Sequence, residues 1–349
     1  MWSRLALSGL LVLMASGAHV RAAQTGKGVQ VTVEEAQRRV YITIDGAPFT
    51  SYIWPDTLTK PVLYPLIAAD GTVLTRGYPL APRPGERTDH PHHAGMWFNY
   101  GNVNGFDFWN NSDAIPPERR PKMGSVFQKK ILFAKSGAEQ GELGVESEWV
   151  TGAGQPILDD TTRLVFSTLG DARVIDRITT LRALDSAVFN DDKEGLLGIR
   201  VASWLESPTE KGGTFTDASG KATQVSATGS AGASGVYLTS EGKSGDAAWG
   251  TRGRWCTLTG TNAGKTFVIA ILDHPENPGY PTYWHARGYG LFAANPLGRH
   301  IFDPAAPALN FTIGKGQTAT FRYRVILYTH AVTAEEMNRQ ADRFAAEYR

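Results

Sequence analysis

Apolar and polar side chains alternate with a period of two along much of this chain. Val40, Ile42 and Ile44 alternate with Tyr41 and Thr43, and Leu164 and Phe166 with Arg163 and Val165. Near the end, Phe321, Tyr323, Val325 and Leu327 alternate with Arg322, Arg324 and Ile326. Runs of this kind predict strands with one face buried and one face out. Gly-, Asn- and Asp-rich breaks such as Asp45-Gly46, Asp70-Gly71 and Thr259-Gly260-Thr261-Asn262 separate them. Strands alternating with long helices are not seen, which argues against βαβ units. One helix is predicted at the end of the chain. Thr333 is its N-cap, Glu335 and Glu336 lie in its first turn, and Met337, Ala341, Phe344 and Ala345 fall near one face. Residues 212–245, rich in Gly, Ser, Ala and Thr, read as a long exposed hairpin or two weak edge strands. The pattern predicts one large antiparallel β-sandwich over residues 23–349, with a short C-terminal helix.

Composition changes this picture in three ways. Arg4, the apolar stretch Leu5 to Ala18 and the small side chains around Val20-Arg21-Ala22 form an export signal over residues 1–22. They predict a secreted, periplasmic protein beginning at Ala23. No later stretch approaches the ~20 apolar residues of a membrane span. Removing Arg4 and Arg21 turns the formal charge from +1 to −1, so no basic patch argues for nucleic acid and no polybasic segment for a membrane surface. Cys256 is the single cysteine. It reads as a small buried hydrophobe between Trp255 and Thr257.

The remaining signal is chemical. Seven histidines follow residue 22, and five of them fall in two aromatic-rich segments, Asp89 to Phe98 and Asp273 to Arg287. In an extended His90-Pro91-His92-His93, His90 and His92 share a face and His93 points away. Asp89 is placed to fix an imidazole tautomer. Asn99 to Trp109 interleaves amides and a carboxylate with aromatic rings, a pairing that suits sugars and also suits turns. In Asp191-Asp192-Lys193-Glu194, Glu194 is a candidate general base, with Arg200 following. His285 and Arg287 share a strand face, and Arg287 suits a carboxylate or carbonyl. Trp249 and Arg252-Gly253-Arg254-Trp255 are candidate wall residues. No nucleophile elbow, P-loop, dinucleotide fingerprint or zinc-type Cys pair is present.

These segments resemble a bacterial family known as PmoA-like ("methane oxygenase PmoA"), also treated as domain of unknown function 6807. The matching residues are His90 to Phe98, Asn104 to Trp109, Lys193 to Arg200, Arg252 to Trp255 and Asp273 to Pro296. Met96 stands where Leu is common, and Asn102 where an acid is often found. The resemblance implies that Lys193, Glu194 and Arg200 belong to the shared site. The oxygenase name itself fits poorly, because a methane monooxygenase membrane subunit needs transmembrane helices.

Three readings follow. The first is a carbohydrate-active enzyme on a sandwich resembling the galactose-mutarotase supersandwich. His90, His92, Glu194, His285 and Arg287 would be catalytic. His93, Trp97, Asn102, Asn104, Asp107, Trp109, Lys193, Arg200, Asp273, His274, Asn277 and Trp284 would bind a saccharide, for epimerisation, elimination or hydrolysis of a sugar or oxidised sugar. The second is a divalent-metal enzyme in which two of His90, His92, His274 and His285 join Asp107 or Glu194. The third is a non-catalytic sugar-binding module. The first two require the two His segments to meet.

Overall fold

The computed structural model describes residues 26–348, except 210, 218 and 226–231. The export signal read over residues 1–22 lies outside the described residues. The chain runs β1 (Val29–Glu34), β2 (Arg39–Ile44), β3 (Ala47–Ile53), β4 (Val62–Leu63) and β5 (Met96–Tyr100), then four long strands, β6 (Gly124–Lys135), β7 (Gln140–Thr151), β8 (Pro156–Leu169) and β9 (Ala172–Ala183). It continues through β10 (Ala187–Phe189), β11 (Gly195–Arg200), β12 (Gly213–Thr216), β13 (Ala222–Val225), β14 (Val236–Thr239), β15 (Trp255–Asn262) and β16 (Lys265–Asp273). The last strands are β17 (Tyr283–Arg287), β18 (Leu291–Asn295), β19 (Phe311–Ile313) and β20 (Thr318–Tyr328), with helices α1 (Arg299–Phe302) and α2 (Ala334–Ala346).

Two eight-stranded sheets result. The first has the order β1-β2-β3-β4-β5-β11-β18-β17, the second β14-β15-β16-β20-β9-β8-β7-β6. Every pairing within them is antiparallel. The expected sandwich with a C-terminal helix is what forms. Local chemistry sets the turns. Ile44 pairs with Ala47 across Asp45-Gly46, and both turn residues have positive φ (50° and 78°). This is the two-residue turn that Asp-Gly favours, because Gly adopts that conformation without strain.

The main core lies between the sheets and takes the inward half of each alternating strand, among them Val40, Ile42, Leu164, Phe166, Phe321 and Tyr323. A second cluster lies on the outer face of the second sheet, under α2. There Met337, Ala341 and Phe344 cover Val268, Ala270, Leu272 and Ile326. Thr333 caps α2 by accepting from the Glu336 amide at 3.1 Å. Each large apolar side chain buried this way contributes about 1.5–3 kcal/mol. Cys256 is fully buried and its thiol is pushed well up by burial. The segment read as a hairpin or two edge strands forms the β12–β13 ribbon and then β14. A third cluster, of Trp97, Trp109, Val62, Ala94, Leu291 and Ala293, lies on the outer face of the first sheet. The histidines rest on it. Among the described residues no helix is long and apolar enough to cross a membrane.

Candidate active site

Strands β5, β11, β18 and β17 are neighbours in the first sheet, and their register builds the site. Trp97 pairs with Gly198, Gly198 with Ala293, and Ala293 with His285, so these four form one row. Arg200, Leu291 and Arg287 form a parallel row two residues along. Alternation sends both rows to the outer face, while Phe98, Ile199, Phe292 and Trp284 enter the main core. Gly198 matters here because a Cβ would lie 2.6 Å from Trp97 Cζ2 and 2.8 Å from Trp109 Cη2. Its bare backbone leaves room for the two indoles, which meet at 61° with centroids 5.0 Å apart.

Above them sits the turn from Asp89 to His93, held from below by two buried arginines. Arg76 Nη1 donates to Asp89 Oδ1 (2.7 Å) and to the carbonyls of Arg87 and Asp89, and its Nη2 donates to the carbonyls of His90 and His93. Arg200 Nη2 donates to the same Asp89 Oδ1 at 2.7 Å. Burial alone would push the Asp89 carboxyl up. Its contacts with His90, Arg200 and Arg76 outweigh that and hold it well below the usual carboxylate range. The charges continue to Glu206, 3.9 Å from Arg200 Nη2, and to Arg87, whose Nε donates to Glu206 Oε2 at 2.9 Å.

His90 and His93 stack, while His92 meets both edge-on (78° and 74°), so the extended segment that would put His90 and His92 on one face is replaced by a turn. Trp97 lies on His93 (5.1 Å between centroids), His93 on His90 (4.9 Å, 4° between planes) and His90 on Tyr289 (5.1 Å, 1°). His90 thus reaches Tyr289, two residues past the second His-bearing segment. His93 lies between two obligate donors, Trp109 Nε1 and Arg200 Nη1, each 3.3 Å from a ring nitrogen. A neutral imidazole offers one lone pair and an imidazolium none. Burial, and then the charges of His92, Arg200 and His90, push the His93 pKa well down, so the ring stays neutral. His92 is also held neutral, down to about 2, by burial and the Lys60 charge.

Glu194 and His285 face one another on the neighbouring part of the site, with Glu194 Oε2 3.7 Å from His285 Nδ1. His285 Nδ1 is 2.9 Å from the Lys193 carbonyl, an acceptor only, so Nδ1 carries the proton and Nε2 keeps the lone pair. Burial, then the charges of Lys193 and Arg287, lower the His285 pKa to about 3. Burial raises Glu194 against the pull of its ion-pair partner Lys193. Tyr289 is raised to about 12 by burial, and it feels the charges of Arg200, Glu194 and Arg287.

Beside this group opens a cavity of about 640 Å³. Its wall includes Asp89, Arg87, Arg287 and Tyr289 from the site, together with Trp249, Asp246 and Lys211. The histidines are not part of that wall. His90 is stacked on Tyr289, and His285 lies two residues before Arg287 on the same strand face.

Several sequence-assigned residues do not join them. Trp284 faces the main core, because it alternates with His285 and Arg287. Trp97 and Trp109 are fully buried under the histidines, so they support the site without touching a ligand. Asn102 accepts from the Gly105 amide and from Asn190, and Asn104 bonds Ser186 and Val188; both latch the loop from Ser186 to Asn190. Asp107 caps the turn at Trp109 and Asn110. Asp273, His274 and Asn277 form a separate corner. Asp273 accepts from Asn277 Nδ2 and the Thr282 amide, Asn277 also bonds the Arg322 backbone, and His274 Nε2 bonds the Glu347 carbonyl just past α2. Of the wall candidates, Trp249 lines the cavity, whereas Arg252 bonds the carbonyls of residues 279–281, Arg254 reaches Asp342, and Trp255 packs under α2.

Sequence reasoning missed Arg76, Arg87, Glu206, Lys211 and the role of Tyr289. It also missed Lys60, which is buried over the Trp97 ring, donates to the His92 carbonyl at 2.9 Å, and is lowered to about 7 by burial. A signal did exist for Arg76. It is a lone arginine after the apolar-rich Val73-Leu74-Thr75, and a buried arginine needs acceptors.

The metal reading needs two of His90, His92, His274 and His285 to converge with Asp107 or Glu194. His274 lies at the α2 corner instead. Among the described residues, no group of three or more His, Cys, Asp and Glu side chains is arranged to hold a metal ion. The residues present do not fit that site.

A model of the family of unknown function DUF6807 matches residues 39–342. No curated protein matches the chain. Similar solved structures include a GH36 α-galactosidase from Geobacillus stearothermophilus (12% identity, 86% of this chain and 41% of that one, TM-score 0.37). A galactose 1-epimerase from Lactobacillus acidophilus is 10% identical (87% and 98%, TM-score 0.40), and a galactose mutarotase-like protein from Clostridium acetobutylicum 9% (86% and 98%, TM-score 0.38). The chain thus spans about two fifths of the α-galactosidase and nearly all of the other two.

Proposed function

The chain belongs to the DUF6807 family of unknown function, and we propose that it is an exported carbohydrate-active enzyme that moves a proton on a sugar held in the cavity beside Tyr289. The observation that carries this reading is the Glu194–His285 pair. Two titratable groups 3.7 Å apart have their pKa values pushed in opposite directions, the carboxyl up and the imidazole down to about 3. Perturbed pairs of this kind mark groups set up for proton transfer. His285 keeps a lone pair on Nε2 at neutral pH and serves as the base, where the sequence suggested Glu194. The Glu194 carboxylate, ion-paired with Lys193, faces Nδ1 and steadies the imidazolium that forms.

The rest of the site supports the same reading. Trp249 and Tyr289 line the cavity with aromatic surface, and Arg287 offers a guanidinium for a carbonyl or carboxylate. The Arg76–Asp89–Arg200 contacts hold the His90 turn rigid, which keeps the Tyr289 stack in place. Epimerisation and elimination both begin with the proton abstraction assigned to His285. Export follows from the signal read over residues 1–22, and the N-terminus of protein recovered from a periplasmic extract tests it directly, with Ala23 expected.

The catalytic test is solvent exchange. A panel of sugars and oxidised sugars is incubated in D₂O and followed by proton NMR, with wild type, His285→Gln and Glu194→Gln. Deuterium entering one carbon-bound position with wild type, and a loss of about 10²–10⁴-fold in either variant, is the expected result. Exchange that survives both substitutions removes the pair from the chemistry. A sugar that binds wild type without exchange or turnover replaces the enzyme by a binding module.

A further inference from the structure

Five charged side chains form one connected ladder beneath the cavity: Arg76, Asp89, Arg200, Glu206 and Arg87. Every member except Asp89 is less than a tenth exposed. Three guanidinium groups face two carboxylates, so the ladder holds one positive charge more than it balances. Arginine does not relieve such an excess by losing its proton at physiological pH.

The cavity wall does not correct the imbalance. It adds Arg287 and Lys211 against Asp246. Neither Arg287 nor Lys211 has a carboxylate partner among the described residues. Arg287 instead rests between two rings, 5.7 Å from the Trp249 centroid and 5.8 Å from that of Tyr289. Ladder and wall together carry two positive charges in excess among the described residues, or one once Glu210, next to Lys211 in the sequence, is counted. A cavity with such an excess concentrates anions.

We infer that the ligand of this cavity is negatively charged, a sugar acid whose carboxylate docks against Arg287 and Lys211 while its ring lies near Tyr289 and Trp249. A planar carboxylate matches one free guanidinium fork, which favours it over a tetrahedral phosphate. The sugar part of that assignment rests on the proposed function; the charge rests on the ladder and the wall alone.

Calorimetric titration tests this with full-length mature protein, and its readout does not depend on turnover. The ligands are glucuronate, glucose, glucose 6-phosphate and inorganic phosphate, each at low and at high salt, against wild type and against the Arg287→Gln/Lys211→Gln double variant. The expected result is glucuronate binding at least about tenfold tighter than glucose. That preference shrinks in high salt and disappears in the double variant, whose melting temperature stays near that of wild type. Glucose binding as tightly as glucuronate, or an unchanged preference in the double variant, overturns the inference. Glucose 6-phosphate or inorganic phosphate binding more tightly than glucuronate overturns the carboxylate assignment. A strong glucuronate preference without deuterium exchange upholds the anionic ligand and sinks the proton-transfer reading, so the two failures are distinguishable.

Discussion

The tripeptide Asp-His-Pro occurs twice in this chain, at residues 89–91 and 273–275, and the two copies do opposite things. Asp89 meets two guanidinium groups, at 2.7 Å each, and is held well below the normal carboxylate range. Asp273 meets a side-chain amide and a backbone N–H, and burial pushes it up to about 7. His90 stacks on Tyr289 at the edge of a cavity, whereas His274 is locked to the Glu347 carbonyl and packs edge-on to Phe344. The difference lies in the partners. A half-buried carboxylate opposed by charge stays ionised and holds a site open; a buried one opposed by neutral dipoles becomes part of a wall. Counting acids and histidines along a sequence cannot separate these cases, because the partners come from Arg76, Arg200, Asn277 and Thr282.

The largest effect expected from breaking this contrast is at Asp89. In Asp89→Asn, Arg76 and Arg200 keep their charges and lose the carboxylate that balances both. Removing one member of a buried ion pair leaves an uncompensated charge, and the expected loss is about 3 kcal/mol, with Asp89 one third exposed. Urea unfolding at pH 7 measures it, and a change under about 1 kcal/mol would deny the ladder its structural role. The sign with pH follows from the depressed carboxyl. Its stabilisation is present above the unfolded-state pKa near 3.9 and is lost as the pH falls through the lower folded value.

Asp273 has the opposite sign. Its folded pKa stands near 7 against an ordinary value of 3.8. Below about pH 4 both states are protonated and nothing is lost. Between about pH 4 and 7 the unfolded chain ionises first, so stability falls as the pH rises and then levels off. The gap corresponds to about 4 kcal/mol, and an Asn at 273 gives up one acceptor, about 1–2 kcal/mol. Asp273→Asn is therefore expected to gain on the order of 2 kcal/mol at pH 8 and to flatten the stability curve between pH 4 and 7. A curve that keeps its slope would show that another group carries it.

What was legible in the sequence follows the same division. Period-two runs give the sandwich, because each strand carries its own inside and outside. Thr333 and the apolar face of α2 were readable for the same local reason. The shared face of His285 and Arg287 was readable as well, and it already implied that Trp284 must point into the core. The meeting of His90 with Tyr289, just past β17, was not, because it depends on β5, β11, β18 and β17 lying side by side. That order brings together residues about 190 positions apart. Arg76 and Glu206 were missed for a related reason. Each sits in a segment without catalytic character, and its importance comes from the charges it meets across the fold.

The smallest expected effects come from the two histidines, and they sharpen the contrast most because they should cross over. His274→Ala removes the bond to the Glu347 carbonyl and the edge contact with Phe344. It is expected to cost about 1–2 kcal/mol of stability and to leave ligand affinity unchanged, since its ring lies at the α2 corner, away from the cavity wall. His90→Ala removes a half-exposed ring stacked on Tyr289, with no hydrogen-bond partner for Nδ1 beyond the 3.2 Å ion-pair contact to Asp89. Its stability cost is expected below about 1 kcal/mol, while Tyr289 loses the surface that fixes its plane at the cavity wall, and affinity for the cavity ligand falls about tenfold, equivalent to about 1.4 kcal/mol. Parallel unfolding and titration measurements on both variants decide it. If both lose stability and neither loses affinity, the two Asp-His-Pro turns are equally structural, and the site must be sought around Glu194 and His285 alone.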